Sequence, residues 1–271
     1  ILYDYGFSPK FPDNVEKEAA KIVEEISKEE VGKRLDIRKT TTFTIDPKDA
    51  KDFDDALSVK KLNNGNWEIG VHIADVSHYV VKGGIVDREA IKRATSVYLV
   101  DRVIPMLPEV LSNNICSLKP NVDRLAYSVL FEMDEKANLV DYTIKKTVIH
   151  SDVRFTYQTA QDVIDNKEGK LATELLLLDK LSKVLRTKRQ KNGSINFEST
   201  EVKFILDKDN NPIDVYFKES LSTNHLIEEF MLLANKTVAK HIGFPKKEAK
   251  TFVYRIHDIP DVDRITTLNN I

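Results

Sequence analysis

Five aspartates crowd into ten residues near the N-terminal end of the sequence. They are Asp46, Asp49, Asp52, Asp54 and Asp55. Two like charges ~4 Å apart repel by roughly 4 kcal/mol at an effective dielectric of about 20, so a folded chain keeps such a cluster only if the carboxylates splay into water, bind protons or share a cation. Apolar residues flank the cluster on both sides: Phe43, Ile45, Phe53, Ala56, Leu57 and Val59. The pattern favours ligands of a hard cation held against a core, with an exposed charged turn as the alternative.

The spacing of the aspartates predicts how they are positioned. Asp52 and Asp54 are two residues apart and would share one face of an extended strand, with Asp55 on the opposite face. A strand is expected at 41–45, and a turn just after it would return Asp46 toward the pair. Oxygen ligands favour Mg²⁺, with Mn²⁺ as an acceptable substitute, over zinc or copper. An EF-hand is excluded because the glycine and glutamate of its loop are missing from the required positions.

The segment TIDPKDAKDFDDA at 44–56 resembles the active-site signature of the ribonuclease II/ribonuclease R superfamily. Members of this superfamily are processive 3′→5′ exoribonucleases with an RNB catalytic domain. Further stretches resemble family blocks in the same order: VHIADVSHYV at 71–80, SVYLVDRVIPMLPEVLS at 96–112, CSLKP at 116–120, NGSINFE at 192–198 and IEEFM at 227–231. The match covers nearly the whole chain and is closer to ribonuclease R than to ribonuclease II.

The resemblance implies metal-assisted hydrolysis of RNA from its 3′ end, with release of nucleoside 5′-monophosphates. Asp46 and Asp55 would be direct metal ligands. Asp52 would help to hold the metal, and Asp54 matches the family aspartate most closely tied to the chemistry. The candidate catalytic residues are therefore Asp54 and Asp52, and all four are candidate metal ligands, whereas Asp49 falls at a variable family position. Two ions about 3.5–4 Å apart would bind on either side of the scissile phosphate.

The resemblance also implies four contacts to single-stranded RNA, the expected partner. Tyr98 and Phe197 match the aromatic pair that clamps the terminal bases. Tyr157 matches a further aromatic residue near the 3′ end, and Glu228 matches an acidic residue at the terminal nucleotides. Aromatic faces stack on bases without sequence preference, at about 1–3 kcal/mol each. On residue type alone, the aromatic residues would be core residues and Glu228 part of a solvated helix face.

The basic residues and two of the histidines have expected roles outside metal binding. The basic run at 186–191 is expected to be a solvated helix end, with a phosphate contact as the alternative. Arg102 and Arg124 lie inside the family-like blocks and would touch the RNA backbone or organise the site. His72 and His78 border the aspartates but show no metal-ligand spacing and are expected to be structural.

The composition limits the classes of function. The chain has 271 residues, of which 41 are basic and 43 acidic, giving a net charge of −2. No global positive charge attracts nucleic acid, so an RNA site would have to be a local groove. A single cysteine, Cys116, rules out an internal disulfide and a cysteine-based zinc site. No apolar run is long enough to span a membrane and no signal peptide is visible, so we expect a cytoplasmic protein; nothing indicates a protein partner.

The alternation of apolar residues predicts an α+β fold. Hairpins mixed with helices favour a largely antiparallel sheet flanked by helices. The family resemblance implies a mixed, partly barrel-like sheet of an RNB-type catalytic core. Strands are predicted at 41–45, 55–61, 67–74, 125–133, 139–150, 195–206, 212–217 and 252–257. Helices are predicted from an Asp13 N-cap through residue 26, and at 87–94, 157–165, 170–191 and 223–241, with a last one opening in 261–271.

The organisation of the chain predicts one domain. Residues 1–271 would form the N-terminal and central part of an RNB catalytic domain. The C-terminal part of that domain, with its arginine-bearing segment, and the family's cold-shock and S1 domains are not found in the sequence. Two alternatives to an active nuclease follow: an RNA- and metal-binding fragment that is inactive because the arginine segment is missing, or a structural cation-binding protein.

Overall fold

The computed structural model describes residues 8–194, 201–209, 211–244, 250–254, 256, 258–259 and 261–269. The helices are α1 (Asp13–Ala19), α2 (Lys28–Gly32), α3 (Val76–Tyr79), α4 (Ile85–Arg93), α5 (Tyr157–Asn166), α6 (Ala172–Lys191), α7 (Ser222–Gly243) and α8 (Val262–Asn269). The strands are β1 (Leu35–Asp36), β2 (Thr42–Asp46), β3 (Asp55–Lys61), β4 (Trp67–Ala74), β5 (Val97–Tyr98), β6 (Val103–Ile104), β7 (Asp123–Met133), β8 (Leu139–His150), β9 (Val153–Thr156), β10 (Glu201–Leu206) and β11 (Pro212–Lys218). The chain falls into two compact units, one through Met231 and one from Leu232.

A seven-stranded mixed sheet organises the first unit. Its strand order is β1-β8-β7-β4-β3-β2-β9. The central strands β3, β4, β7 and β8 pair antiparallel, whereas β1 and β9 pair parallel at the two edges. The predicted α+β fold with a mixed, largely antiparallel sheet is confirmed. Within the described residues the sheet is open rather than closed into a barrel, since β1 and β9 lie at opposite edges.

One face of this sheet carries small and aliphatic side chains that pack against helices. Its buried members include Ala56, Ala74, Ala126 and Ile149. They form one core with residues of α1, α4 and the loop that follows β6: Val15, Ala19, Val86, Leu111, Ile115, Cys116 and Leu118. Alanine at three neighbouring strands lets these elements approach the sheet closely, so residues 111–118, which begin with a short π-helix at Leu111–Ile115, are held against the sheet.

A buried polar network crosses the same sheet. His72 is fully buried, with its Nδ1 2.6 Å from Ser128 Oγ and its Nε2 2.8 Å from Ser58 Oγ. Burial lowers the pKa of His72 to about 3, so the ring is neutral at physiological pH. Gly70 faces the network, and a Cβ there would clash with the Ser58 hydroxyl and the His72 ring. The structural interpretation of His72 is therefore confirmed.

Several predicted boundaries were wrong. The first helix ends at Ala19, and Ser27 starts a separate helix by accepting a hydrogen bond from Glu30 N at 3.1 Å. Asp13 is the first helical residue rather than the cap. No strand forms in the described part of 252–257, where residues 251–254 are irregular. Residues 195–200 of another predicted strand lie outside the described residues.

Candidate active site

The ends of β2 and β3 bring the aspartates together. These strands are antiparallel neighbours, so the connection 47–54 returns the chain to the end of the sheet where β2 stopped. Asp46 is the last residue of β2 and Asp55 is the first of β3, while Asp52 and Asp54 lie in the connection. The predicted strands and the return of the chain after Asp46 are confirmed.

The prediction that Asp52, Asp54 and Asp55 alternate along one extended strand was wrong. Residues 50–54 are not in a strand, so the alternation of faces does not apply to them. The charges of Asp46 and Asp54 both act on Asp55, which places the three carboxylates in one neighbourhood.

Charge crowding and burial dominate the electrostatics of this neighbourhood. Burial, reinforced by Asp46 and Asp54, raises the pKa of Asp55 to about 7 from an ordinary 3.8. Burial also raises the pKa of Asp46 to about 6, with Asp52 and Asp54 adding to the shift and the Thr44 hydroxyl and Arg154 opposing it. The pKa of Asp54 is raised by loss of hydration and by Asp52, although the side chain remains partly open to solvent. The cluster therefore holds more negative charge than its surroundings balance.

Tyr98 stands at the Asp52 and Asp54 side of the cluster. It ends β5, which pairs with β6 as a short ribbon, and it is 69% exposed. Reduced hydration and the charges of Asp52 and Asp54 raise the pKa of Tyr98, so it stays a neutral phenol at physiological pH. An aromatic ring this exposed beside carboxylates is not a core residue, and it is available to a ligand.

Tyr157 stands at the Asp46 and Asp55 side. Strand β9 runs parallel to β2, with Thr156 paired to Asp46. Thr156 then caps α5 by accepting a hydrogen bond from Thr159 N at 3.0 Å, which makes Tyr157 the first helical residue. Burial and the charges of Asp55 and Asp46 raise the pKa of Tyr157 to about 12. Two of the predicted RNA contacts are thus close enough to the aspartates for the carboxylate charges to act on them.

The aspartate connection is held by residues that sequence reasoning missed. Ser117 Oγ donates to Lys51 O at 2.9 Å and accepts from Phe53 N at 3.0 Å. Leu118 N donates to Phe53 O at 2.8 Å. Both residues belong to the family-like CSLKP block, so their place in that block could have indicated a role in the site. These bonds fix the backbone on which Asp52 and Asp54 sit.

Arg154 holds the other half of the connection and gave no signal in the sequence. Its Nη2 donates to Pro47 O at 2.6 Å and to Lys48 O at 2.9 Å. The guanidinium carbon lies 5.4 Å from the centre of the Phe53 ring. The same side chain is the cation that opposes the pKa shift of Asp46. Arg154 therefore fixes the turn after β2 and offsets part of the charge of the cluster.

The two arginines of the family-like blocks differ in their contacts. Arg124 is 4% exposed; its Nε donates to Ser117 O at 2.9 Å and its Nη2 to Glu24 at 2.8 Å. It therefore organises the loop that holds the aspartates. Arg102 is exposed and pairs with Asp101, with Nε 2.7 Å from Oδ2.

The four aspartates match a divalent cation in donor chemistry and in charge. Asp46 Oδ2 is buried and has no hydrogen-bond partner among the described residues. A buried anionic oxygen in that condition is costly unless a cation or a proton satisfies it. Within the described ranges, no three His, Cys, Asp or Glu side chains converge closely enough to hold a metal ion as they stand. The four-aspartate metal site consequently stays a prediction, supported by the orphaned oxygen of Asp46.

The two other predicted RNA contacts stand apart from this cluster. Phe197 lies outside the described residues. Glu228 contacts Arg189, with Oε1 3.0 Å from Nη2, and its side chain is 45% exposed. The adjacent Glu229 is 3% exposed and binds the same guanidinium at 2.6 Å. The contacts described for Glu228 join α7 to α6 and do not connect it to the aspartates.

The basic run at 186–191 ends α6, and four of its six residues are exposed, as expected of a solvated helix end. Lys188 Nζ donates to Ala137 O at 2.9 Å and to Lys136 O at 3.1 Å, which ties α6 to the turn between β7 and β8. Arg189 forms the ion pairs with α7. The run therefore anchors α6 at its C-terminal end.

Comparison with known proteins gives consistent matches along the chain. The RNB domain family model matches residues 34–271. Ribonuclease R of Thermotoga maritima is 44% identical, with the match covering 100% of this chain and 38% of the relative. Ribonuclease R 1 of Lactococcus lactis is 41% identical, covering 98% of this chain and 33% of the relative. The chain thus spans between 33% and 38% of the length of these two relatives.

A solved structure shares the fold. Mycoplasma genitalium RNase R in complex with ribose-methylated single-stranded RNA superimposes with a TM-score of 0.88 at 30% identity, covering 98% of this chain and 42% of that one. Among the helices that the structure describes, none combines the length and apolar character needed to cross a membrane.

Proposed function

The chain belongs to the RNB domain family, and from this premise we propose that it is the carboxylate-bearing part of a 3′→5′ exoribonuclease. The proposed reaction is Mg²⁺-dependent hydrolysis of single-stranded RNA to nucleoside 5′-monophosphates, with a role in RNA degradation. One observation carries the proposal. Four aspartates lie at the ends of β2 and β3 and in the connection between them, two of them have raised pKa values of about 6 and about 7, and the aspartate charges act on Tyr98 and Tyr157.

The aspartates are the proposed metal-binding and catalytic residues. Asp46 and Asp55 would hold the ion directly, and Asp52 and Asp54 would complete its environment, with Asp54 nearest the chemistry. Mg²⁺, or Mn²⁺ in its place, would supply activation of the attacking water and stabilisation of charge on the departing oxygen. The protein's own contribution is orientation: Ser117 and Arg154 fix the backbone on both sides of the connection, so the carboxylates are held in place before substrate arrives.

The tyrosines are the proposed RNA contacts. Tyr98 offers an exposed ring beside Asp52 and Asp54, where a terminal base could stack at about 1–3 kcal/mol. Tyr157 is half-buried beside Asp46 and Asp55 and stays a neutral phenol. The Mycoplasma genitalium RNase R structure contains single-stranded RNA, and its likeness supports the same substrate class here. Phe197 and Glu228 remain proposals from the family resemblance.

A second candidate function is RNA and metal binding without catalysis. It is favoured by the coverage of the chain, which spans 38% of the Thermotoga maritima relative, and by the absence of a ready three-ligand set among the described residues. Hydrolysis would then need groups that this chain does not supply.

Cleavage of a 5′-labelled, unstructured RNA tests the proposal. The chain is incubated with Mg²⁺ or with EDTA, beside Thermotoga maritima ribonuclease R as a positive control, and RNA binding is measured on the same samples. We expect a metal-dependent ladder that shortens from the 3′ end. Binding without cleavage, while the control cleaves, would replace the proposal by the second candidate. A chain that neither binds nor cleaves RNA would refute both.

A further inference from the structure

An exposed row of residues leaves the aspartate cluster and crosses the sheet. Asp55 on β3 pairs directly with Ile73 on β4, Ile73 pairs with Tyr127 on β7, and Tyr127 pairs with Lys146 on β8. Residues that are directly paired on neighbouring strands point to the same face of a sheet. Ile73 is 43% exposed, Tyr127 is 47% exposed and the Lys146 side chain is 46% exposed. We call these four residues the Tyr127 row.

The neighbouring rows are buried on β3, β4 and β7, while Ile144 on β8, beside Lys146, is partly exposed. On one side Leu57 and Val71 are each 1% exposed and Val129 is 6% exposed. On the other side Leu125 pairs with Val148, and they are 3% and 0% exposed. On β4 and β7 the Tyr127 row is therefore a gap between covered rows, and at β8 it opens onto a partly exposed edge. A gap of this form leaves an aromatic ring and an aliphatic side chain in water although the sheet around them is packed.

The row has the length and the groups of a binding site for a short nucleic acid strand. Three strand spacings of about 4.8 Å give it a length of about 14 Å. That is roughly four nucleotides at ~3.4 Å per stacked base. Tyr127 presents a ring on which a base can stack. Lys146 Nζ lies 3.2 Å from Asp75 Oδ2 and has further N–H donors for a phosphate oxygen.

A protein partner fits the row less well. The apolar part consists of Ile73 and Tyr127 alone, between a carboxylate and an ammonium group. A specific protein interface buries about 800 Å² per partner around an uncharged centre. Asp75, the partner of Lys146, is already bound by the buried guanidinium of Arg34 at 2.8 Å. The Lys146 ammonium can therefore turn to a phosphate without leaving Asp75 unpaired.

We propose that the Tyr127 row is a subsite for single-stranded RNA, in which a base stacks on Tyr127 and a phosphate binds Lys146. The inference rests on the proposed function, because the row begins at Asp55. An RNA strand whose 3′ end lies at the aspartates would continue along the Tyr127 row. The length of the row therefore sets how many nucleotides the chain holds. Short products that reach only the aspartates and Tyr98 would lose this contact and bind more weakly.

Binding of ribose-methylated oligoadenylates, a trinucleotide and an octanucleotide, tests the proposal by fluorescence anisotropy in Mg²⁺. We expect Tyr127→Ala to weaken octanucleotide binding by about tenfold and to leave trinucleotide binding within about twofold. Tyr127→Phe keeps the ring and should bind like the wild type. Lys146→Gln should weaken octanucleotide binding and reduce the slope of log K against log salt by about 0.7. Matched controls are Tyr216→Ala, an exposed tyrosine on β11, and Lys145→Gln, the neighbour of Lys146 on the opposite face of β8.

The outcomes separate this inference from the proposed function. If the wild type binds the octanucleotide and both row variants bind it equally well, the subsite is refuted while RNA binding stands. If the wild type binds neither oligonucleotide, the proposed function fails and the subsite fails with it. If Tyr127→Ala does not fold, the salt dependence of octanucleotide binding by Lys146→Gln tests the subsite instead. A purely structural effect would not change the number of phosphates contacted, so it would leave the slope of log K against log salt unchanged.

Discussion

At the scale of single residues, the pKa values of Asp46 and Asp55 reflect the crowding of negative charge that the sequence pattern suggested. Burial and mutual repulsion raise their pKa values to about 6 and about 7, and Asp46 Oδ2 has no hydrogen-bond partner among the described residues. Such groups reduce the stability of the ionised fold, and a protein without use for them would replace them. The simplest explanation is a cation that binds the ionised carboxylates in the working state.

The stability of the metal-free protein should therefore fall as pH rises. Between the ordinary value of 3.8 and the folded values of about 6 and about 7, the native state binds more protons than the unfolded state. Stability from these two groups is present below that window and is lost as pH rises through it. In EDTA, Asp55→Asn should raise the melting temperature by a few degrees near pH 8 and have little effect near pH 4.

Thermal melts with EDTA or Mg²⁺ measure this effect. Mg²⁺ should stabilise the wild type near pH 8 and stabilise Asp55→Asn much less. Asp209→Asn, an exposed aspartate in the turn between β10 and β11, is the control and should melt like the wild type. The proposal that Asp46 and Asp55 are protonated without metal and bind Mg²⁺ when ionised would be contradicted by either of two results. One is a wild type whose melting temperature is the same from pH 4 to pH 8, and the other is a wild type that Mg²⁺ does not stabilise.

Tyr98 provides a second test at the residue scale. Its ring is 69% exposed beside Asp52 and Asp54. Tyr98→Ala should weaken binding of single-stranded RNA by about 1–3 kcal/mol, because one stacking surface is lost. Tyr98→Phe retains the surface and should bind within about twofold of the wild type. Equal affinity of the alanine variant and the wild type, measured by anisotropy, would remove Tyr98 from the RNA site.

At the scale of elements, the connection between β2 and β3 is a loop with the rigidity of a regular element. Ser117 and Leu118 hold its second half, and Arg154 holds its first half. The loop that carries Ser117 is itself packed into the core through Leu111 and Ile115, and Arg124 ties it to β7. Carboxylates that repel one another are thus placed on a backbone that cannot open to separate them.

Ser117→Ala should weaken this arrangement. The variant leaves Phe53 N–H and Lys51 C=O without their buried partner, which should destabilise the fold by about 1–3 kcal/mol in denaturant titration. Metal affinity, measured by calorimetry, should fall several-fold because Asp52 and Asp54 lose their fixed positions.

Ser182→Ala is the matched control for this prediction. Ser182 is 3% exposed on α6 and donates to Asp179 O at 2.9 Å, away from the aspartates. It should lose stability and keep its metal affinity. If Ser117→Ala and Ser182→Ala bind metal equally well, the loop does not position the carboxylates.

The same elements show which structural features could be predicted from the sequence and which could not. Strands β3, β4, β7 and β8 were predictable because alternation and turn residues are local signals. The bonds of Ser117 and Arg154 were not, because they join residues 64 to 107 positions apart and are made to backbone atoms. The alternation expected along Asp52, Asp54 and Asp55 failed for a related reason: alternation holds within a strand, and residues 50–54 form none. The choice of Tyr98 as a candidate RNA contact followed from the family resemblance and not from its residue type.

At the scale of the whole molecule, the chain has a net charge of −2 and offers no general attraction to RNA. Its affinity must come from local groups, while the aspartate cluster repels phosphate unless a cation is bound. Mg²⁺ should therefore strengthen RNA binding, and EDTA should weaken it, by about tenfold or more. KCl at matched ionic strength is the control, and it should not reproduce the effect of Mg²⁺. Affinity that is independent of Mg²⁺ would place the RNA away from the aspartates.

Cleavage of a 5′-labelled single-stranded RNA by the wild type, Asp54→Asn and Asp49→Asn tests the central claim most directly. The substitutions remove one negative charge each from the same connection, but Asp49 is exposed and outside the cluster. The wild type and Asp49→Asn should give the same Mg²⁺-dependent ladder from the 3′ end. Asp54→Asn should lose cleavage by about a hundredfold or more and keep RNA affinity within about threefold. Cleavage by Asp54→Asn at the wild-type rate would show that this carboxylate cluster is not the hydrolytic site.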